Sequence, residues 1–387
     1  MFSFYKHHTR IHMNYIDTLK SVELVIATGE VPLLVGESGI GKTALAKQLA
    51  AENHWSLIVI DGNLLKEGEI GGLPTIETYV GPDQQGRQVE HKTTIYAVHY
   101  KLREIDEEIA KGNVVLLFID EINRCEHTVQ QELMNLILNR EINGYRLPEN
   151  IKLLAAMNPS GKYGSNFDYQ VVDMDAAQEN RFVWLYMEPD YRQWIDWAMD
   201  EGLEPKVIEF ISTFPEYLMK TSDNGISATP RSYERISKTL KLYQEQRENI
   251  PRSVFLNVLR GNVGDMIAAE LLTFIEADHK PLLSYEDVFG ASMTDAVKEQ
   301  LRAESHTRLY LSARNILKTL EAKLPQTVSD IDSDIIRLVE FLKLYPVDLR
   351  VGIMKDIKKS FHKIYQYAIE NEAFVELYFE SFATVGN

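Results

Sequence analysis

A glycine-rich run that ends in lysine and threonine is the clearest sign of chemistry in this sequence. It fits the pattern G-x-x-x-x-G-K-[ST], which predicts a loop that binds phosphate groups. Glycines allow the backbone to turn its N–H groups inward, and the start of a helix adds partial positive charge. The residues of this loop and of the helix start are Gly36, Glu37, Ser38, Gly39, Ile40, Gly41, Lys42, Thr43 and Ala44.

The elements on either side of this phosphate loop support a nucleotide site. An apolar run, Val31–Val35, precedes the loop as a strand, and a strong helical pattern over 44–50 follows it. In this arrangement Lys42 reaches the β- and γ-phosphates of a nucleotide, and the Thr43 hydroxyl binds Mg²⁺. The alternative is a glycine-rich turn that only caps a helix, but the strand–loop–helix order favours the phosphate site.

Two carboxylates follow a second apolar run. Val114–Ile119 predicts a buried strand, and Asp120 and Glu121 come directly after it. Ligands of open parallel sheets bind at the carboxyl ends of the strands. Asp120 is placed to hold Mg²⁺ through its water shell, and Glu121 to orient and polarise an attacking water. The alternative is a helix start with acidic residues in its first turn, which is also favourable.

Hydrophobic patterning predicts two kinds of architecture along the chain. Apolar runs alternate with helical patterns up to about residue 190, which is typical of α/β folds with a parallel sheet and helices on both faces. The strands that we predict are Val31–Val35, Leu57–Ile60, Val114–Ile119, Lys152–Met157 and Phe182–Met187. After Pro189 helical spacing dominates, as in Ile335–Leu344 and Ile357–Ile369. An all-α region therefore follows the α/β part.

Composition restricts the possible partners and the compartment. The 387 residues include 41 Lys and Arg against 57 Asp and Glu, so the net charge is −16. Such a chain is repelled by phosphate backbones, and it has no basic run, so we do not expect a nucleic-acid partner. A single cysteine fits a reducing compartment. Residues 1–14 read as a flexible lead-in, and no apolar run approaches the ~20 residues that span a bilayer, so we predict a cytoplasmic protein without a membrane anchor.

Several of these segments resemble a known family. The run Asp120–Arg124 resembles the Walker B region of MoxR-type AAA+ ATPases, a group that includes the CbbQ/NorQ-like activators and is similar to the ATPase subunits of metal chelatases. Leu153–Pro159 is similar to the sensor 1 strand of the family. Residues 176–182 and 229–231 resemble the segments that carry the arginine finger and sensor 2. Asn180 stands where the family more often has Asp.

The resemblance implies three further residues of a catalytic site. Asn158 is expected to hydrogen-bond the γ-phosphate and the water, and the alternative is an ordinary turn residue before a proline. Arg181 is expected to reach the γ-phosphate of a neighbouring subunit, with an ion pair to Glu179 or Asp175 as the alternative. Arg231 is expected to face the nucleotide from the first turn of a helix, or else to be a solvent-exposed arginine.

The resemblance also implies domains, cofactors and partners. It places an AAA+ core at 25–190 and a helical lid at 191–280, with a lead-in and helix at 1–24 and a C-terminal helical region at 281–387. The implied cofactors are ATP and Mg²⁺. The implied assembly is a homo-oligomer, a ring of six subunits, that acts on a protein partner with a von Willebrand A domain.

Two features keep two interpretations each, and a third has one. Residues 64–101 form a long, irregular, glycine-containing stretch. The resemblance implies an insertion in the second helix that points to the pore of a ring, where Tyr79, Val80 and Arg87 touch a substrate, and the alternative is a surface loop. Arg124 is a candidate for either an intersubunit contact or a structural salt bridge. Residues 141–147 predict a hairpin around Asn-Gly, which only connects two elements.

Three classes of function remain in competition at this point. The first is an ATP-driven motor that remodels a partner protein. The second is a nucleic-acid motor or the nucleotide-hydrolysing subunit of a restriction or defence nuclease, which the negative charge disfavours. The third is a nucleotide-gated scaffold, which would have no need of Glu121 and Asn158.

Overall fold

A computed structural model describes residues 12–160, 171–222, 225–277, 281–290, 293–324 and 328–385. The chain divides into two compact units, Met1–Trp194 with Thr229–Ser232 and Ile195–Ala228 with Tyr233–Asn387. The finer division of the helical part at residue 280 stays a prediction.

The first unit is built on a parallel sheet of six strands. The strands of this unit, numbered along the chain, are β1 (His12–Met13), β2 (Pro32–Val35), β3 (Ser56–Asp61), β4 (Pro74–Pro82), β5 (Gln88–Tyr96), β6 (Val115–Asp120), β7 (Glu141–Ile142), β8 (Tyr145–Arg146), β9 (Lys152–Met157) and β10 (Val183–Met187). The sheet has the order β1-β10-β2-β9-β6-β3, and all of its pairings are parallel. The α/β class and the five predicted strands are confirmed, with ends that differ by one residue at most.

Both faces of this sheet are covered. Successive residues of a strand point to opposite faces, and Val115–Ile119 of β6 are all buried. The α-helices that the structure describes between residues 12 and 190 are α1 (Tyr15–Ala27), α2 (Lys42–Glu52), α3 (Tyr100–Ala110), α4 (His127–Leu138) and α5 (Ala176–Glu179). Apolar residues of α3 and α4, such as Ile105 and Leu133, lie in one buried cluster with Ile60 and Ile119 of the sheet.

The prediction of a flexible lead-in is wrong for its last residues. His12 and Met13 form the edge strand β1, which pairs in parallel with Tyr186 and Met187 of β10. The Nδ1 atom of His12 lies 2.8 Å from a carboxylate oxygen of Glu188. Two residues are too few to show a hydrophobic period, so only the neighbouring strand reveals this element. Residues 1–11 lie outside the described part of the chain.

The stretch between β3 and α3 is also more regular than the sequence suggested. Strands β4 and β5 form an antiparallel ribbon, in register from Pro74–Tyr96 to Pro82–Gln88. We call these two strands the β4–β5 ribbon. Nearly all of its residues are exposed on both faces, so it lacks the apolar–polar alternation that marks a half-buried strand. The interpretation of an irregular segment was therefore wrong.

Side chains of the first unit hold the base of the β4–β5 ribbon in place. The Glu132 side chain on α4 lies close to Gly71, since a Cβ on that glycine would be 2.9 Å from Oε1 of Glu132. Asn143 Nδ2 donates to the Gly71 carbonyl oxygen at 2.9 Å. Asn143 also lies in the hairpin between β7 and β8, with φ of 44° before Gly144 at 87°, so the predicted Asn-Gly hairpin is confirmed.

The second unit is almost entirely helical, as the sequence predicted. The helices numbered after α5 are α6 (Tyr191–Asp200), α7 (Pro205–Thr213), α8 (Pro230–Glu245), α9 (Arg252–Val263), α10 (Asp265–Glu276), α11 (Asp295–Ala303), α12 (His306–Lys323), α13 (Val328–Lys343), α14 (Val347–Ser360), α15 (His362–Ala368) and α16 (Glu372–Val385). Two short strands, β11 (Lys220–Thr221) and β12 (Ser227–Ala228), form a hairpin. The helix predicted over 357–369 is broken at Phe361, where the backbone leaves the helical region (φ −121°, ψ 73°).

Apolar packing and buried ion pairs hold the second unit together. Leu317, Phe341 and Phe374 belong to its core. Arg308 on α12 pairs with Glu209 on α7, and both side chains are buried. Among the described residues, we find no helix with the length and apolar character needed to cross a bilayer.

Replacing Gly72 by alanine is expected to damage the β4–β5 ribbon far more than the same change at Gly86 in its turn. Both glycines have positive φ, so each alanine adds about 1–2 kcal/mol of backbone strain. A Cβ at residue 72 would also lie 2.0 Å from the carbonyl oxygen of Ala97, whereas nothing lies within 4 Å of a Cβ at residue 86. Urea unfolding and limited proteolysis of the two variants measure the difference. Equal behaviour would contradict the close approach at Gly72.

Candidate functional site

The predicted phosphate loop connects β2 to α2 with the expected geometry. Gly39 and Gly41 have φ of 82° and 106°, which side-chain-bearing residues rarely adopt. A Cβ on Gly36 would lie 2.8 Å from the carbonyl oxygen of Met187, so the loop also passes close to β10. Helix α2 begins at Lys42, so its free N–H groups and its positive dipole end lie at the loop.

The ammonium group of Lys42 is buried beneath this loop. It donates hydrogen bonds to the carbonyl oxygens of Gly36 (2.6 Å) and Glu37 (3.0 Å) and to Oδ1 of Asn158 (2.8 Å). Burial lowers the pKa of Lys42 to about 8, against the opposing effect of the carboxylates of Asp120, Glu121 and Glu37. The lysine is thus a cation at neutral pH that the surrounding protein stabilises incompletely.

A hydroxyl and a carboxylate meet where a Mg²⁺ ion was predicted. Thr43 Oγ1 donates a hydrogen bond to Oδ2 of Asp120 at 2.7 Å. Asp120 ends β6, which lies between β3 and β9 in the sheet. Oxygen ligands from a hydroxyl and a carboxylate are those that Mg²⁺ takes beside the phosphates of a nucleotide. The residues present therefore fit the predicted ion.

Glu121 has an unusual backbone and an arginine partner. Its φ is 50°, in a region that few non-glycine residues occupy. Arg124 Nη1 lies 3.0 Å and 3.1 Å from the two carboxylate oxygens of Glu121. Of the two interpretations of Arg124, the salt bridge is the one that forms within a single chain.

Asn158 accepts the third hydrogen bond of Lys42 and has an amide donor that no described residue satisfies. It directly follows β9 and is fully buried. Its Oδ1 accepts from Lys42, whereas its Nδ2 has no hydrogen-bond partner among the described residues. An unsatisfied buried donor is costly. A phosphate oxygen at the loop would satisfy it, which is a second respect in which the residues fit a nucleotide.

The segment 229–232 lies against the phosphate loop. A Cβ on Gly39 would come within 2.7 Å of Oγ1 of Thr229, so the two backbones approach closely. Helix α8 starts at Pro230, and the N–H of Ser232 donates to the Thr229 carbonyl oxygen. The positive charge of Arg231 contributes to the lowered pKa of Lys42. The structure therefore brings Arg231 to the same site, although the residue is exposed.

Arg181 is the one predicted site residue that lies elsewhere. It precedes β10, and the N–H of Val183 donates to the carbonyl oxygen of Val31, the residue before β2. The phosphate loop follows the opposite, carboxyl end of β2. Arg181 is exposed and makes no ion pair with Glu179 or Asp175 within the described part of the chain. Its position at the amino edge of the sheet keeps it away from the phosphate loop of its own chain.

Two polar residues of the site were not selected from the sequence. Asp61 ends β3 directly opposite Asp120, and burial together with the carboxylates of Glu121 and Asp120 raises the pKa of Asp61. Its position after an apolar run was the signal that could have found it. Asn123, in the turn after β6, donates from Nδ2 to the carbonyl oxygen of Asn158 at 2.7 Å. No pattern in the sequence predicts the contact between Asn123 and Asn158.

Residues 32–182 match the family model of the AAA domain, dynein-related subfamily. This part of the chain is an AAA+ ATPase domain. The match runs from the first residue of β2 to the residue before β10 and includes every predicted site residue except Arg231. The matched residues thus include the phosphate loop and four strands of the sheet, β2, β3, β6 and β9.

Two relatives and one solved structure have sequence identities of 15–26% to this chain. The chain is 26% identical over 317 residues to the ATP-dependent Clp protease ATP-binding subunit ClpE of Bacillus subtilis. The aligned region covers 78% of this chain and 40% of that protein. ClpE of Lactococcus lactis is 25% identical over 153 residues, or 39% of this chain and 17% of that one. The chain therefore spans less than half the length of these relatives. A solved structure of the RuvB Holliday junction branch migration motor of Thermotoga maritima is 15% identical, with a TM-score of 0.36 over 74% of this chain and 80% of that chain.

The affinity for a nucleoside triphosphate is expected to fall as the pH rises through about 8. Phosphates bind the protonated form of Lys42, whose pKa lies near 8, so binding at that pH takes up a proton. Above pH 8 the affinity falls by up to about tenfold per pH unit. Calorimetry in two buffers with different ionisation enthalpies measures the proton uptake. In Lys42→Arg the guanidinium stays protonated, so the uptake should vanish, and uptake that persists would assign the proton to another group.

Proposed function

We propose that this chain is a Mg²⁺-dependent, MoxR-type AAA+ ATPase that assembles into a homo-oligomeric ring of six subunits and remodels a protein partner. One observation carries the proposal. Lys42, Thr43, Asp120 and Asn158 meet at the carboxyl edge of the sheet, whereas Arg181 lies at the amino edge. One chain therefore carries most of the groups that ATP hydrolysis needs, and the arginine that would complete them, Arg181, lies on another surface of the same chain.

Each side chain of the site receives a distinct role in this proposal. The loop N–H groups and Lys42 bind the β- and γ-phosphates, and Asn158 Nδ2 donates to the γ-phosphate. Thr43 and Asp120 hold Mg²⁺, which neutralises phosphate charge when it is bound. Glu121 orients the attacking water and accepts its proton. For that role the carboxylate has to leave its salt bridge with Arg124.

Arg181 is the basis for the ring in this proposal. An arginine that stabilises the transition state must contact the γ-phosphate, and Arg181 lies at the far edge of its own sheet. The short helix α5 that leads to it is fixed by a capping box between Asp175 and Gln178. An exposed guanidinium that forms no ion pair with any residue the structure describes suits contact with the nucleotide of a neighbouring copy.

The β4–β5 ribbon is the surface that we propose for the protein partner, which in this clade carries a von Willebrand A domain. Tyr79 and Val80 are 49% and 66% exposed, and Ile76 is exposed as well. Arg87 lies next to the turn and pairs with Asp83. Exposed apolar side chains on a projecting ribbon are typical of a surface that binds another protein.

Glu121→Gln is expected to keep nucleotide binding and to lose at least ~10²-fold of the hydrolysis rate, because an amide cannot accept the proton of the water. Steady-state phosphate release and the binding of a fluorescent nucleotide measure the two properties. Glu126→Gln is the matched control, since Glu126 is exposed a few residues further along the chain. A Glu121→Gln variant that turns over like the wild type would place the base elsewhere.

Arg181→Ala and Lys42→Ala are each expected to be inactive alone and to recover activity when mixed. In the mixture an intact phosphate loop faces an intact Arg181 at a shared interface, and such an arginine is worth ~10³-fold or more in other P-loop enzymes. Phosphate release from the mixture, with subunit exchange followed by energy transfer, provides the measurement. Arg103→Ala, which also removes an exposed arginine, serves as the control. A mixture that exchanges subunits and stays inactive would remove the basis for the ring.

A further inference from the structure

We propose that Asn123 is a positioning residue that fixes the orientation of Asn158 and so sets how well the site distinguishes ATP from ADP. This inference rests on the proposed function. Among the described residues, no hydrogen bond joins Asn123 to the phosphate loop or to Lys42. Asn123 acts through the backbone of Asn158.

The turn after β6 is joined to the end of β9 at two points. The N–H of Ile122 donates to the carbonyl oxygen of Ala156 at 3.1 Å. Asn123 Nδ2 donates to the carbonyl oxygen of Asn158 at 2.7 Å. Asp120 and Glu121 lie at the start of the same turn, so the carboxylates and Asn158 share one rigid connection.

The hydrogen bond from Asn123 Nδ2 fixes the peptide group between Asn158 and Pro159. Pro159 follows, and a proline nitrogen carries no hydrogen. This peptide therefore offers only its carbonyl oxygen for a hydrogen bond. A shift of this peptide, if it were not held, would displace the Cα of Asn158 and with it the side chain whose Oδ1 accepts from Lys42.

Burying the amide of Asn123 costs free energy, which indicates that the amide is present for its hydrogen bond to the carbonyl oxygen of Asn158. The side chain is fully buried, and its Oδ1 has no hydrogen-bond partner among the described residues. An unpaired buried acceptor destabilises the fold, and an apolar side chain of similar size would avoid that penalty. The stability of the core alone therefore does not account for an amide at this position.

Asn123 also anchors the chain that leads towards Arg181. Its carbonyl oxygen accepts a hydrogen bond from the N–H of Val172 at 2.8 Å. Ser160 Oγ donates to Asp173 at 2.7 Å nearby. The segment before α5 is thus bonded both to the turn that carries Asn123 and to Ser160.

The consequence for the nucleotide is specific to the γ-phosphate. Asn158 Nδ2 is the donor that ATP satisfies and ADP does not in the proposed site. Asn123→Leu should lower kcat/KM by about 10- to 100-fold, the value of one hydrogen bond to a charged group, because the bond is lost both to bound ATP and in the transition state. The preference for a non-hydrolysable ATP analogue over ADP should fall by a similar factor. A general loss of packing would weaken the binding of both nucleotides equally.

A double-mutant cycle with Asn158→Ala tests this inference on the full chain. If Asn123 acts through Asn158, then Asn123→Leu should change kcat/KM little in the Asn158→Ala background. Asn135→Leu on the exposed face of α4 is the matched control. Effects of Asn123→Leu and Asn158→Ala that multiply independently would overturn the inference, as would an unchanged ATP:ADP preference.

Two further measurements keep the test decisive. Urea unfolding checks that each variant folds, and the cycle is repeated with Asn123→Ser if Asn123→Leu does not fold. Asn158→Ala separates the two proposals. If the wild type does not hydrolyse ATP or Asn158→Ala matches it, the proposed function fails. If Asn158→Ala is impaired while both Asn123 variants behave as the wild type, only the role of Asn123 fails.

Discussion

The burial of a single cation, the ammonium group of Lys42, is the constraint on which the site depends. A charge removed from water has to be surrounded by acceptors. Here the acceptors are two carbonyl oxygens of the phosphate loop and the side chain of Asn158. The lysine therefore holds the loop after β2 and the end of β9 at a fixed separation. Its lowered pKa shows that these contacts stabilise the charge only partly, which leaves it available to phosphates.

The parallel register of the sheet places the other groups around this cation. Because β3, β6 and β9 pair in parallel, the residues at their carboxyl ends come out on one edge. Asp61 and Asp120 are direct cross-strand neighbours there. The same register puts Arg181, at the amino end of β10, on the opposite edge. One topological feature thus gathers the hydrolytic groups and separates the arginine from them.

The β4–β5 ribbon differs from the sheet in what stabilises it. A two-stranded ribbon with both faces in water is marginal by itself. Its stability has to come from its base, where Asn143 donates to the carbonyl oxygen of Gly71, where Glu132 lies close to the same glycine, and where Gly72 passes tightly against Ala97. Apolar residues of α4, the helix that carries Glu132, lie in the same buried cluster as residues of β6. The ribbon therefore projects from the part of the domain that also carries the carboxylates.

The sequence by itself determined the elements whose signals are local. The phosphate loop, the apolar strands that flank it and the carboxylates after β6 follow from spacing and burial patterns along a few residues. The helical character of the second unit follows from the same kind of periodicity. Only the tertiary structure determined the elements and contacts whose stabilising partners are distant in sequence. The edge strand β1 exists only beside β10, the β4–β5 ribbon has no buried face to leave a pattern, and the contact from Asn123 to Asn158 joins residues 35 positions apart. In each case the stabilising partner lies far along the chain, so no local pattern records it.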